Sequence, residues 1–147
     1  MIHTRLAPCF LSELFIILAD QSGFSGRHDF WTKTLHELSL TQNLIEIAEE
    51  HARRENATVI TSVTIEIGAL SGVMPEAVEF AFEACTKDTL AEGATLEIRR
   101  IPALGRCQQC NQECAMENLL DGCSACGSYA LDILKGQEMA LIELEID

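Results

Sequence analysis

What this sequence has little of narrows its chemistry before any motif is read. No apolar run approaches the roughly 18 residues that a membrane-spanning helix needs, so a bilayer is not an expected partner. Basic side chains are few, 10 against 23 acidic ones, giving a formal net charge of -13. The field around such a chain repels phosphate backbones and anionic headgroups, and nucleic acid is not expected to bind it. There is no G-x-S-x-G elbow, no Walker loop and no H-E-x-x-H, and the carboxylates show no pairing that singles out an acid/base couple. An enzyme is not expected. A convincing export signal is also missing, since the apolar stretch from Cys9 to Ala19 contains Glu13, follows a single Arg5 and lacks a small-x-small cleavage site.

What is present is the composition of a folded protein: 147 residues, 48% hydrophobic and 22% charged, enough for one core with a small appended module. Residues 1–34 differ from the rest. Their charges cancel, with Arg5, Arg27 and Lys33 against Glu13, Asp20 and Asp29, and they show no sustained periodicity. They read as an N-terminal extension, in which Phe10–Ala19 could form a short helix.

From Leu38 the pattern turns helical. Leu40, Leu44, Ile47, Ala48 and His51 recur at three- and four-residue steps, with Glu46, Glu49, Glu50 and Arg53 on the other face and a stop near Asn56. Val63, Ile65 and Ile67 alternate with Thr64 and Glu66 as in a half-buried strand that Gly68 ends. Pro75 suits the first turn of a second helix, whose apolar face is Val78, Ala81, Phe82 and Cys85 and whose dipole meets Glu76 and Glu79 at one end and Lys87 at the other. Leu96, Ile98 and Ile101 suggest a strand broken by Pro102. In the last segment, Met139–Ile146, Ile142, Leu144 and Ile146 alternate with acids and make a third strand. The expected fold is α+β: a three-stranded sheet with two helices on one face, and an inserted zinc-ribbon-like module. The boundaries are an α/β domain of residues 35–102 and 136–147, with the cysteine module at 103–135.

Four of the seven cysteines carry the strongest signal. Cys107-Gln-Gln-Cys110 and Cys123-Ser-Ala-Cys126 are separated by 12 residues, a span that lets two knuckles fold back and present four sulfurs to one tetrahedral Zn(2+). A module of this size has too little apolar content to fold alone, so the metal supplies its folding free energy. Paired C-x-x-C units without an export signal fit a reducing cytoplasm better than disulfides. A redox dithiol or an iron-sulfur cluster are the other readings of the same spacing. Cys114 reads as a spare thiol beside the site, and Cys85 as a small core residue. His51 reads as a packed or partly exposed histidine, while His3, His28 and Cys9 have no ligand spacing. His36-Glu37, just ahead of the first helix, offers an imidazole and backbone nitrogens to a metal, although such a pair alone is more often a surface histidine near a helix start.

Taken together, Leu35-His36-Glu37-Leu38-Ser39-Leu40, the stretch Ile65-Glu66-Ile67-Gly68-Ala69-Leu70-Ser71-Gly72-Val73-Met74-Pro75-Glu76-Ala77, the Phe80-Ala81-Phe82-Glu83 after it and the two C-x-x-C pairs closely resemble the HypA/HybF family. Its members are nickel metallochaperones for [NiFe]-hydrogenase maturation. The resemblance spans residues 35–147. It implies zinc on Cys107, Cys110, Cys123 and Cys126, and Ni(2+) carried as cargo at a Met-His-Glu start, which His36 and Glu37 match. Family members hold nickel through the terminal amine, the imidazole and nearby amides, and such nitrogen donors suit square-planar Ni(II) as thiolates suit zinc. The partners it implies are a HypB-like maturation GTPase and the hydrogenase large-subunit precursor, and some relatives also support urease; a weak homodimer is a separate expectation. The departure lies at position 35, where the family has its initiating Met and this chain has Leu35 behind 34 residues. A peptide bond there removes the amine ligand, and the expectation is that translation begins at Leu35 through a leucine-type codon. A zinc-ribbon protein-interaction module without nickel is the alternative reading, and a thiol oxidoreductase is a third. The absence of Lys and Arg between Cys107 and Cys126, where Glu113, Glu117 and Asp121 stand instead, speaks against a nucleic-acid ribbon.

Overall fold

A computed structural model of the chain describes residues 2–10 and 29–147. Its elements in chain order are β1 (Ile2–Phe10), α1 (Asp29–Arg54), β2 (Ile60–Gly68), α2 (Pro75–Cys85), β3 (Thr95–Ile101), β4 (Ala103–Cys107), β5 (Glu113–Met116), β6 (Leu131–Lys135) and β7 (Met139–Ile146). They form two sheets, a four-stranded one in the order β1-β7-β2-β3 and a three-stranded one in the order β5-β4-β6. The fold is α+β, as expected. The large sheet has one strand more than expected, because residues 2–10, read above as patternless, pair antiparallel with β7. Most of the short helix expected at Phe10–Ala19 lies outside the described residues, and Phe10 itself belongs to β1.

The core follows from periodicity. β2 and β3 are parallel, so the chain must cross over between them, and α2 makes that crossing. Val63, Ile65 and Ile67 of β2 are at most 1% exposed, and with Leu141, Leu144 and Ile146 of β7 they face the helices. Full burial of each such side chain contributes about 1.5–3 kcal/mol. Among the described residues, no helix is long and apolar enough to cross a membrane.

Two inner faces differ from the alternation read along the chain. In β7 the buried residues are Met139, Ala140 and Leu141, then Leu144 and Ile146, while Ile142 is only half-buried. A β-bulge accounts for this: Thr64 pairs with Glu143 and the next residue, Ile65, with Leu141. One extra residue exchanges the two faces of a strand. In α1 the buried stripe is Thr41, Leu44, Ile45, Ala48 and Ala52, whereas Leu40, Ile47 and His51 are half-buried. Thr41 can be fully buried because its hydroxyl donates to the Glu37 carbonyl at 2.7 Å. Glu49, read as solvent-facing, is turned inward and accepts the Leu90 amide at 2.9 Å, tying α1 to the loop before β3. Lys87 lies past the end of α2, where Thr86 caps the helix through its amide and hydroxyl on the Phe82 carbonyl.

The second sheet leaves the first at Pro102 and returns at Gly136, and a clasp holds the two strands of this neck together. The loop after β2 donates from Gly68 to the Glu138 carbonyl, from Ala69 to Ile101 and from Leu70 to Gly136, each at 2.8 Å. The backbones approach so closely that a Cβ on Gly68 would lie 2.2 Å from the Gly136 carbonyl oxygen, and a Cβ on Gly136 would lie 2.3 Å from Ala103 Cα. Gly136 also has φ +104, a conformation that L side chains rarely adopt.

Candidate metal centre

The small sheet exists to bring two tight turns face to face. Cys107 ends β4, so the first knuckle starts where a strand has already fixed the backbone. The Asn111 amide closes the turn on the Cys107 carbonyl at 2.9 Å, and the Gly127 amide closes its twin on the Cys123 carbonyl at 2.8 Å. Both closing residues are left-handed, Asn111 at φ 59 and Gly127 at φ 75. Asn and Gly are the residues that enter that region at least cost. The Cys123 amide donates to the Ser128 carbonyl and the Gln108 amide to Ala130, which anchors each knuckle to the strand entering β6.

The outcome is four sulfurs on Cys107, Cys110, Cys123 and Cys126, all within 4.8 Å of one another. Cys107 and Cys126 approach to 3.6 Å and Cys110 and Cys123 to 3.5 Å. A tetrahedral ion with metal–sulfur bonds of about 2.3 Å needs sulfurs about 3.8 Å apart, so the cage already has nearly the required dimensions. The donor set fits a soft or borderline divalent ion in a closed site.

Backbone amides prepare two of these thiols for ionisation. The amides of Cys126 and Ala125 aimed at Cys123 pull its pKa down to about 6, and those of Cys110 and Gln109 lower Cys107 in the same way. Their partners move the other way. The Gln112 amide alone would lower Cys110, but burial and the sulfurs of Cys123, Cys126 and Cys107 outweigh it and push the thiol up to about 12. Cys126 is likewise raised, its Ser128 amide outweighed mainly by the Cys107 sulfur and by burial. Four adjacent sulfurs cannot all be anionic without a cation among them.

Cys114 is buried beside this cluster, with its sulfur 3.8 Å from the Gly105 carbonyl and outside the group of four. Cys85 packs against the main core, and burial raises its thiol. All six cysteines from Cys85 to Cys126 are free. His51 is half-buried. Cys9 and His3 lie in β1, and His28 lies outside the described residues.

His36 and Glu37 sit differently from expectation. They are not ahead of the first helix but inside it, because α1 begins at Asp29. In an α-helix each interior amide donates to the carbonyl four residues back, so the amides of His36 and Glu37 are already engaged. The imidazole of His36 is exposed, whereas Glu37 is 4% exposed. The Glu37 Oε2 is buried without a hydrogen-bond partner. A buried carboxylate oxygen with no donor is costly, and a bound cation is one way to relieve it. The residues marked this pair only weakly and the resemblance gave it its role; the sequence gave no sign of the helix that runs through it, nor of the Gly68–Gly136 clasp.

A family model described as hydrogenase/urease nickel incorporation, metallochaperone, hypA matches residues 35–146. The hydrogenase maturation factor HypA of Geotalea uraniireducens is 47% identical over 113 residues, which is 77% of this chain and 100% of the relative. That of Trichodesmium erythraeum is 48% identical over 77% of this chain and 96% of its own length. Among solved structures, the solution structure of the Ni metallochaperone HypA from Helicobacter pylori aligns with a TM-score of 0.55 at 28% identity, covering 75% of this chain and 96% of that one. A second solution structure of HypA protein aligns with a TM-score of 0.58 at 32% identity, covering 77% and 97%.

Proposed function

This chain belongs to the HypA family of nickel-incorporation metallochaperones, and on that premise we propose that it carries Ni(II) to the large-subunit precursor of a [NiFe]-hydrogenase while Zn(2+) resides on Cys107, Cys110, Cys123 and Cys126. The observation that carries this reading is the presence of two donor sets of opposite character. One is a closed cage of four sulfurs, already nearly tetrahedral. The other is an exposed imidazole at His36, followed in the chain by the buried Glu37 carboxylate that lacks a partner. A closed four-thiolate cage keeps its ion, and zinc there stabilises residues 103–135, whose buried apolar side chains beyond the cysteines are Ala103 and Met116. A carrier must release its cargo, and a site with few protein donors, one of them the exposed His36 imidazole, does that.

In the full chain the donors left for nickel are the His36 imidazole and the Glu37 carboxylate, since the helix holds both amides. Water or the recipient would complete the coordination. Residues 35–102 and 136–147 thus form the cargo-bearing unit, and the clasp at Gly68 and Gly136 joins it to the zinc unit. The role is that of a carrier and not of a catalyst. It is exercised in the reducing cytoplasm, with a HypB-like GTPase as the second partner.

Nickel titration by calorimetry of the full chain and of His36→Ala, with zinc measured by elemental analysis, tests this. The expected result is nickel affinity lower by roughly tenfold or more in the variant, with zinc unchanged. Equal nickel affinity in both proteins, or nickel taken up only at the four sulfurs, would overturn the assignment and favour a zinc-ribbon interaction module.

A further inference from the structure

The four-stranded sheet ends in two edges that differ in kind, and the difference singles out residues 2–10. At one edge β3 carries Glu97, Arg99 and Arg100, all exposed. Such alternating charges keep an edge strand from recruiting another chain. At the other side β7 is apolar except for Glu143 and Glu145, and it would be the edge if β1 were absent. A mostly apolar strand with open backbone groups is a template for strand addition.

The register of β1 on β7 matches those two acids. His3 pairs with Glu145, Thr4 with Leu144 and Arg5 with Glu143, so the basic residues of β1 fall opposite the acidic positions of β7. Opposite charges at directly paired positions stabilise a strand pair, and like charges there destabilise it. Beyond Arg5 the pairing is interrupted, and it resumes with Cys9 opposite Leu141. The interruption contains Pro8, which has no amide to offer a further strand, and an irregular strand bearing Pro makes a poor template on its outer side. β1 is therefore built to receive nothing beyond itself. The family match begins at residue 35, and the Geotalea relative is spanned in full by 113 residues, so β1 has no counterpart there.

We propose that the outer edge of β7 is a strand-docking surface selective for an extended segment with basic residues at alternate positions, and that residues 2–10 of this chain occupy it in cis. The same acids disfavour a second copy of β7. Two such strands paired antiparallel about Leu144 would set Glu143 of each against Glu145 of the other. Loss of β1 therefore opens a site for a basic extended peptide and not for self-association.

Hydrogen–deuterium exchange of residues 139–146 in the full chain tests this, comparing the parent with Arg5→Lys, Arg5→Glu and Thr4→Pro. The parent and Arg5→Lys should protect β7 equally. Arg5→Glu should exchange roughly 3- to 10-fold faster, and Thr4→Pro faster still. A synthetic peptide of residues 1–10 added to Thr4→Pro should restore protection, whereas its Arg5→Glu form should not. Exchange of β7 unchanged in every variant would overturn the proposal. Its charge selectivity falls if Arg5→Glu behaves as the parent while Thr4→Pro opens the strand, or if Thr4→Pro forms a dimer by sedimentation in place of accepting the peptide. None of these readouts involves nickel, so they stand or fall apart from the carrier assignment.

Discussion

Replacing Gly136 by Ala should strike both halves of the molecule at once. The backbone at this position has φ +104, and an added Cβ would lie 2.3 Å from Ala103 Cα and 2.4 Å from Ala103 Cβ. The first of these atoms is backbone at the start of β4 and cannot rotate away. Strain at positive φ costs a non-glycine residue about 1–2 kcal/mol, and overpacking against fixed neighbours about 1–3 kcal/mol more, so a loss of about 2–5 kcal/mol is expected. For a chain of this size that lowers Tm by about 8–20 °C. Thermal unfolding followed by circular dichroism gives the shift. Elemental analysis before heating shows whether the cage still holds its ion, which it should, because the knuckles close on their own backbone bonds at Asn111 and Gly127. A Tm within about 2 °C of the parent would show that the neck can move aside, and the clasp would lose its structural meaning.

Four further outcomes follow from single positions. Cys123→Ser should abolish stoichiometric zinc binding and leave residues 103–135 open to proteolysis while the main core survives, because the ion supplies the folding free energy of the module. In the zinc-free protein, thiolate absorbance should show an early step: Cys123 is anionic above a pKa of about 6 and reprotonates as the pH falls through that value. Zinc affinity should decline over the same range, and Cys123→Ser should lack the step. Phe82→Ala should cost about 3–5 kcal/mol by chemical denaturation, since Phe82 is 4% exposed, whereas Phe80→Ala, at a position 78% exposed, should change stability by no more than about 0.5 kcal/mol. Glu37→Met, which removes a buried oxygen without a donor, should stabilise the metal-free protein by about 1–3 kcal/mol in the same assay and weaken nickel binding; lower stability would mean that the carboxylate has a structural role.

Much of the architecture was legible because it depends on local physics. Pro75 at the start of α2, Gly68 at the end of β2 and Pro102 at the exit from the sheet act through their own backbone limits, and each stands where its chemistry demands. The spacing within each C-x-x-C is likewise local, since two sulfurs three residues apart can meet on one turn. The parts that were misread depend on a partner distant in the chain. Leu141 and Ile142 exchange faces because β7 bulges against Thr64 and Ile65, and no periodicity within β7 records that. Residues 2–10 look patternless until Glu143 and Glu145 are placed opposite Arg5 and His3.

By itself, then, the sequence determined the types of the main elements from α1 to β3 and of β7, the four-cysteine cage and the family to which residues 35–146 belong, all of which rest on short-range spacing or on motif order. Only the tertiary structure decided that His36 and Glu37 lie within a helix that engages their amides, that one Glu37 oxygen is buried without a donor, and that Gly68 and Gly136 meet where the two sheets join. Burial and close approach are properties of pairs of segments far apart in the chain, and the folded packing alone brings those pairs together.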